Sequence, residues 1–501
     1  MLLPAGYLVY RVSQDAGAAW DVATSSRALT GLRQTITLAV ATSLGAILIA
    51  LPVAWLTTRT DLRFARAWFV LLTLPLAVPS YVAALVLVLF LGPRGMLQDW
   101  LEPLGVDRLP EIYGFAGAWL ALTLFTYPYV LLPVRAALRA LDASMEEGAR
   151  SLGKGPWEVA LRVTLPQLRP ALVAGTILVA LYTLSDFGAV SLMNYNSLSN
   201  LIYIQYRGTF DRDAAAALAL LLVVVALAVI SLEALTRGRG RYHTTAAGRS
   251  ARPVALGRWR WPAIAWLSFL ALVCVGMPLF VLGWQVVEGV SNGEPLQTLT
   301  SAIRNSMLAS LLGALLTVAA AMPIAWMAVR RPGTVSRVFE RASYSGYALP
   351  GIVVALALVF FGARYVPALY QTLPWLLFAY MVRFLPEALG ASRSSLLQIN
   401  PATEEAGRSL GHGGFVVFVR VTLPQMVPGL SAAGALVFLT IMKELPATLL
   451  LSPIGFDTLA VDVWSLSREA YFARAAFAAT TLVVLAGIPV ALLALREKPI
   501  S

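Results

Sequence analysis

Glu146-Glu-Gly-Ala-Arg-Ser-Leu-Gly-Lys-Gly155 and Glu404-Glu-Ala-Gly-Arg-Ser-Leu-Gly-His-Gly413 are one phrase written twice in this chain. Extended to 146–172 against 404–430, 16 of 27 positions are identical without a gap. Unrelated sequences of ordinary composition would share about two. The correspondence runs outward from there. A shift of 271 residues places Arg33 on Arg304, Pro52 on Pro323, Trp55 on Trp326, Arg59 on Arg330 and Pro79 on Pro350. A shift of 258 places Pro128 on Pro386 and Asp186 on Glu444. The chain is two copies of one unit, read as 1–235 and 261–501, joined by a Gly-, Arg- and Thr-rich basic linker over 236–260.

Of the 501 residues, 58% are hydrophobic and 13% charged, about half the charge of a soluble domain. The apolar residues come in blocks. Ala214–Leu235 carries Glu233 as its one charge, and Ala475–Leu495 carries none. Each can cross a hydrocarbon core as a helix, which takes about 20 residues. The blocks lack the alternation of barrel strands. They predict spans at 1–10, 32–57, 67–92, 115–138, 171–192 and 214–235. The second copy continues with 262–287, 303–328, 342–363, 372–390, 427–451 and 475–495. The fold class is all-α integral membrane, about twelve helices in two six-helix repeats. An even number of spans per copy makes the repeats parallel, with a pseudo-two-fold axis along the membrane normal. The first span is short: its Leu3-Pro4 matches Met277-Pro278, past the middle of the seventh span, so the first helix reads as truncated.

Charge placement gives the orientation. One set of connections, together with the C-terminus, holds 26 of the 38 lysines and arginines. By the positive-inside rule that set is cytoplasmic, and both termini with it. The net charge of +12 therefore points to membrane topology and a lipid bilayer, not to nucleic acid. A single cysteine, Cys274, and two histidines, His243 and His412, allow no internal disulfide and no cysteine or histidine metal cluster. A metal site of any other kind stays unknown.

The repeated phrase lies on the basic side. Asp142 and Asn400 suit helix N-caps, with Pro401 at the first helical position. Gly153 and Gly411 suit the left-handed residue that ends a helix. A second short helix should begin near Pro156 and stop before Pro166, with Pro424 its counterpart. The expected product is a helix-turn-helix knob on the cytoplasmic face, present twice. Gly148-Ala-Arg-Ser-Leu-Gly-Lys-Gly155 approaches a phosphate-binding loop, but Gly155 lacks the hydroxyl that holds magnesium and no strand precedes it.

The spacing Glu-x-x-x-x-x-Gly followed by Leu-Pro resembles the coupling loop of ABC importer permeases. The resemblance carries Glu147, Gly148, Ala149, Arg150, Leu152 and Gly153, with Glu405, Ala406, Gly407, Arg408, Leu410 and Gly411. Each copy has one glycine where the family has alanine, a change that costs a helix about 1 kcal/mol. Met442-Lys-Glu-Leu-Pro-Ala-Thr-Leu449 and Asp186-Phe-Gly-Ala189 resemble the fused iron(III) permeases, with the fused thiamine permeases next. The resemblance implies a type I importer permease of the bacterial inner membrane. It implies two partner ATPase subunits holding ATP and magnesium, and a periplasmic or lipid-anchored binding protein. No cofactor on this chain and no catalysis by it are expected. A proton-coupled secondary transporter and a membrane-embedded enzyme are the alternatives from other classes.

Asp186, Lys443 and Glu444 are charges inside spans. They line a pathway or gate, or they pin helices together, Glu444 pairing with Lys443 or Arg383. Gly188, Pro386 and Pro446 are candidate kinks.

Overall fold

The computed structural model describes residues 3–93, 95–106, 108–141, 143–209, 211–236, 253–294, 299–346 and 349–496. The described residues form helices and one isolated bridge, Thr60 to Val254. Among the described residues, eight helices are long and apolar enough to cross a membrane, from Ser26–Arg59 to Gly414–Met442. Each of the twelve stretches read as spans falls on a helix or on two helices meeting at a break.

Four expected spans are broken, two of them at the candidate kinks Gly188 and Pro446 and two at Pro79 and Pro350, where no kink was expected. Stretch 67–92 is Ala65–Thr73, a tight turn, then Ser80–Leu91; 342–363 is the end of Thr334–Ser345, then Gly351–Tyr365. Pro79 and Pro350 hold extended backbone there, as proline without an N–H and with a fixed φ does most readily ahead of a helix. Stretch 171–192 is Leu165–Ser185 then Gly188–Leu192, and 427–451 is Leu423–Met442 then Pro446–Leu451. Pro386 does not interrupt its helix, Leu373–Leu397.

The chain divides into two compact units that cut across the copies. One comprises Met1–Ala23, Ile202–Val223 and Val286–Ser501; the other comprises Thr24–Leu201 and Val224–Gln285. The opening helix, Leu3–Gln14, thus belongs with the second copy, where it packs on Gly351–Tyr365. There Tyr7 meets Phe361 edge to face, with centroids 5.7 Å apart. In the other unit Arg260–Ala271 packs on Ala65–Thr73. Each copy's first helix is housed with the following spans of the other copy.

The described end of the linker is clamped to the Ser26–Arg59 helix. Val254 N–H donates to the Arg59 carbonyl at 2.8 Å, and Asp61 N–H to the Val254 carbonyl at 3.1 Å. Asp61 accepts from Leu256 N–H at 2.9 Å and from Arg260 at 2.8 Å. The Leu256 N–H first, then Arg260, holds the Asp61 carboxyl below its ordinary value. A lowered folded pKa means the clamp is complete above the ordinary carboxylate pKa and is lost as pH falls through the folded one. Asp61→Asn should therefore speed amide exchange at Leu256 at neutral pH, and the difference from wild type should shrink on acidification.

Candidate functional site

The two copies of the repeated phrase form matching helices, Ala143–Ser151 and Pro401–Ser409. Asn400 caps the second as expected, its side chain accepting from Ala402 N–H at 3.0 Å. Asp142, the expected cap of the first, lies outside the described residues. Gly153 and Gly411 adopt φ of 80° and 82°. Both helices end in the same double closure. Gly153 N–H bonds the Arg150 carbonyl at 2.9 Å and Lys154 N–H the Ala149 carbonyl at 3.3 Å. Gly411 and His412 repeat these bonds to Arg408 and Gly407.

The two helices and the turn between them form as expected, but the end of the second helix is corrected. The segment from Pro156 does not stop before Pro166. It passes through a single wide turn, Ala160–Thr164, into the membrane helix Leu165–Ser185. Gly414–Met442 repeats this through Phe418–Thr422. The wide turn closes Leu165 N–H onto the Ala160 carbonyl, five residues back. One inserted residue absorbs the hydrogen bond that proline cannot make, so the helix continues past it.

Adjacent glutamates divide the work. Glu147 and Glu405 are exposed, as are Arg150 and Arg408. Leu152 and Leu410 are 81% and 78% exposed, large apolar side chains set in water at the tip of each loop. Gly148 has open space around an added methyl, whereas one on Gly407 would meet Val417 at 3.1 Å. So the two glycine-for-alanine departures differ: the first is free, the second lets its helix approach Gly414–Val417.

Glu146 and Glu404 point the other way and are buried, at 7% and 4% exposure. Sequence reasoning passed over them. Glu146 pairs with Arg59 at 3.4 Å and accepts from Thr164 at 3.1 Å. Glu404 pairs with Arg330 at 3.1 Å and accepts from Thr422 at 3.1 Å. Arg330 also donates to the Ile399 carbonyl at 3.1 Å, while the Arg59 Nε has no hydrogen-bond partner among the described residues. The second latch is the tighter. Its signal was in the sequence: Arg59 aligns with Arg330 by one shift, and Glu146 and Thr164 align with Glu404 and Thr422 by the other.

The intramembrane acids cap the restarted helices. Asp186 accepts from Ala189 N–H at 3.0 Å and from the Ser80 hydroxyl, and Ser199 donates to its carbonyl at 2.6 Å. Glu444 accepts from Ala447 N–H at 3.1 Å and pairs with Arg383 at 3.2 Å. Of the partners expected for Glu444, the structure places Arg383 on it. The copies solve one problem differently. Where the first has Ser80 and Phe125, the second has Gly351 and Arg383. A methyl on Gly351 would sit 1.2 Å from the Arg383 guanidinium, so the missing side chain is the room the arginine occupies.

Lys443 is half-buried beside this break. On the neighbouring helix the half-buried Glu387, also passed over, accepts from Thr440 at 3.0 Å. The first copy has Tyr129 and Tyr182 at the positions of Glu387 and Thr440, with rings 5.7 Å apart. Among the described residues, no group of His, Cys, Asp and Glu side chains could hold a metal ion.

Each unit carries one loop helix whose buried glutamate is latched to the arginine that ends a long membrane helix of the same unit. The chain belongs to the family of binding-protein-dependent transport system inner membrane components, whose model matches residues 30–238 and again 317–496. It is therefore an ABC permease of the inner membrane. It is 34% identical over 469 residues to the Fe(3+)-transport system permease protein FbpB 2 of Haemophilus influenzae, covering 92% of this chain and 89% of that protein. It is 31% identical over 172 residues to the molybdenum transport system permease protein ModB of Azotobacter vinelandii, covering 34% of this chain and 75% of that one. A sulfate transport system permease protein, CysT of Escherichia coli, is 31% identical over 191 residues, covering 38% of this chain and 68% of that one.

Proposed function

We propose that the chain is the iron(III) permease subunit of an ATP-driven importer. The observation that carries this is the likeness to an Fe(3+)-transport permease across both copies, where the molybdenum and sulfate permeases match little more than a third of the chain. A periplasmic or lipid-anchored binding protein delivers the ion. Two ATPase subunits, which hold ATP and magnesium, dock on Ala143–Ser151 and Pro401–Ser409 through Glu147, Leu152, Glu405 and Leu410. The positive charge of the connections supports a cytoplasmic position for these helices and both termini. ATP binding at the partners supplies the differential free energy between inward- and outward-open states. Along the chain the repeats remain 1–235 and 261–501 with the 236–260 linker between them.

Asp186 and Glu444 hold the helix breaks together. The half-buried Lys443 and Glu387 stand beside the second break, and these are where the chain would meet cargo. Proteoliposomes holding the permease, its ATPase and its binding protein should take up ferric ion only with ATP. Uptake of thiamine or molybdate in place of iron would transfer the specificity, and uptake driven by a proton gradient without ATP would remove the importer reading itself.

A further inference from the structure

Two uninterrupted helices, Ser26–Arg59 and Leu299–Arg330, are held at both ends by side chains in equivalent places. At one end Arg59 and Arg330 grip the buried glutamates of the loop helices. Toward the other end, about two turns inside it, a buried hydroxyl accepts the first N–H of a later helix. Thr35 accepts from Leu198 N–H at 2.8 Å, and Ser306 accepts from Leu459 N–H at 2.8 Å. Each contact has a second support. Tyr195 donates to the Gln34 carbonyl at 2.9 Å, and Asn305 donates to the Asp457 carbonyl at 3.0 Å.

The spacing is the same in both copies. Thr35 to Arg59 and Ser306 to Arg330 are each 24 residues, or about 36 Å of helix, somewhat more than a hydrocarbon core. The segments gripped at the far end are also equivalent, since each follows a broken fifth span. In the first copy the link goes one step further. Leu198 is followed by Ser199, which donates to the Asp186 carbonyl at the break.

We propose that Ser26–Arg59 and Leu299–Arg330 are rods joining each loop helix to the turn after the broken fifth span, with Thr35, Ser306, Arg59 and Arg330 as their positioning residues. The proposal rests on the importer reading for its purpose, since it links the ATPase face to the opposite face, but its mechanics are testable on the permease alone. A rod gripped by hydrogen bonds at both ends transmits displacement without needing a chain of side chains between them. The coupling must then be reciprocal, because a free energy shared between two sites acts equally from either one.

The test is amide hydrogen exchange on the permease in lipid nanodiscs. Thr35→Val and Ser306→Ala should speed exchange in 143–153 and 401–411 respectively by at least threefold, at the opposite end of the helix. Glu146→Gln and Glu404→Gln should do the same in 196–202 and 457–463. Thr35→Ser and Ser306→Thr, which keep the hydroxyl, should restore wild-type exchange. Leu48→Ala and Leu315→Ala, at exposed positions midway along the rods, should leave both ends unchanged. Exchange that changes only beside the substitution, or equally for the midway controls, overturns the proposal. Reciprocal exchange in a protein that shows no ATP-driven uptake keeps the rods and rejects the importer, so the two readings fail separately.

Discussion

Gly351→Ser should break the Arg383–Glu444 pair and lower the stability of the permease by about 3–5 kcal/mol, the cost of leaving a buried charge without its partner. The first copy carries serine at this place without harm, because Phe125 stands where the second copy has Arg383. In the second copy the space a side chain would take is already filled, the guanidinium lying 1.2 Å from where a Cβ would be. Glu444, 6% exposed, would keep its bond to Ala447 N–H but lose its positive neighbour. The thermal unfolding midpoint of purified permease in detergent should fall sharply for this variant. Adding Arg383→Phe and Glu444→Asp rebuilds the first copy's arrangement and should recover most of the loss. A Gly351→Ser protein as stable as wild type would show that Arg383 does not occupy that space.

Reversing charge at the exposed glutamates, Glu147→Arg with Glu405→Arg, should cut ATP-driven uptake by more than tenfold and leave the unfolding midpoint within about a degree of wild type. Exposed substitutions away from packed or bonded sites change stability by no more than about 0.5 kcal/mol. Leu152→Ala with Leu410→Ala should weaken ATPase co-purification in the same way, because a few large side chains at the centre of an interface carry most of its energy. The neighbouring pair gives the contrast. Glu146→Ala with Glu404→Ala should lower stability as well as uptake, since the first strands the buried Arg59 and the second leaves the half-buried Arg330 only its bond to the Ile399 carbonyl. Uptake that survives the reversal at Glu147 and Glu405 would reject docking through these helices.

That contrast shows where reading the residues alone stops. Glu146 and Glu147 are adjacent, and neighbours on a helix point about 100° apart, so one of each pair had to face the body and the other the solvent. Which one depends on Arg59 and Thr164, both far away in the chain. The membrane helices were legible as apolar blocks, yet four contain breaks that hydropathy does not register. A break survives in a membrane only where the freed backbone N–H groups find acceptors. At the breaks 186–188 and 443–446 those acceptors are Asp186 and Glu444, whose other partners, Ser80 and Arg383, come from other helices. The division into compact units was equally hidden. Helices of the same apolar character can be housed with either copy, and only the packing of Tyr7 on Phe361 and its neighbours assigns the opening helix.

Residue order alone was enough for the repeat, the membrane class and the places where the loop helices end. These follow from composition, periodicity and local backbone preference, which act within a few residues. Tertiary structure alone decided which glutamate is latched and how Gly351 makes room for Arg383. It also decided that Thr35 and Ser306 grip, well before their last turn, the helices that end at the loop-helix latches. Those are contacts between residues from 18 to more than 160 positions apart, and their energy depends on burial and geometry that exist only once the chain has packed.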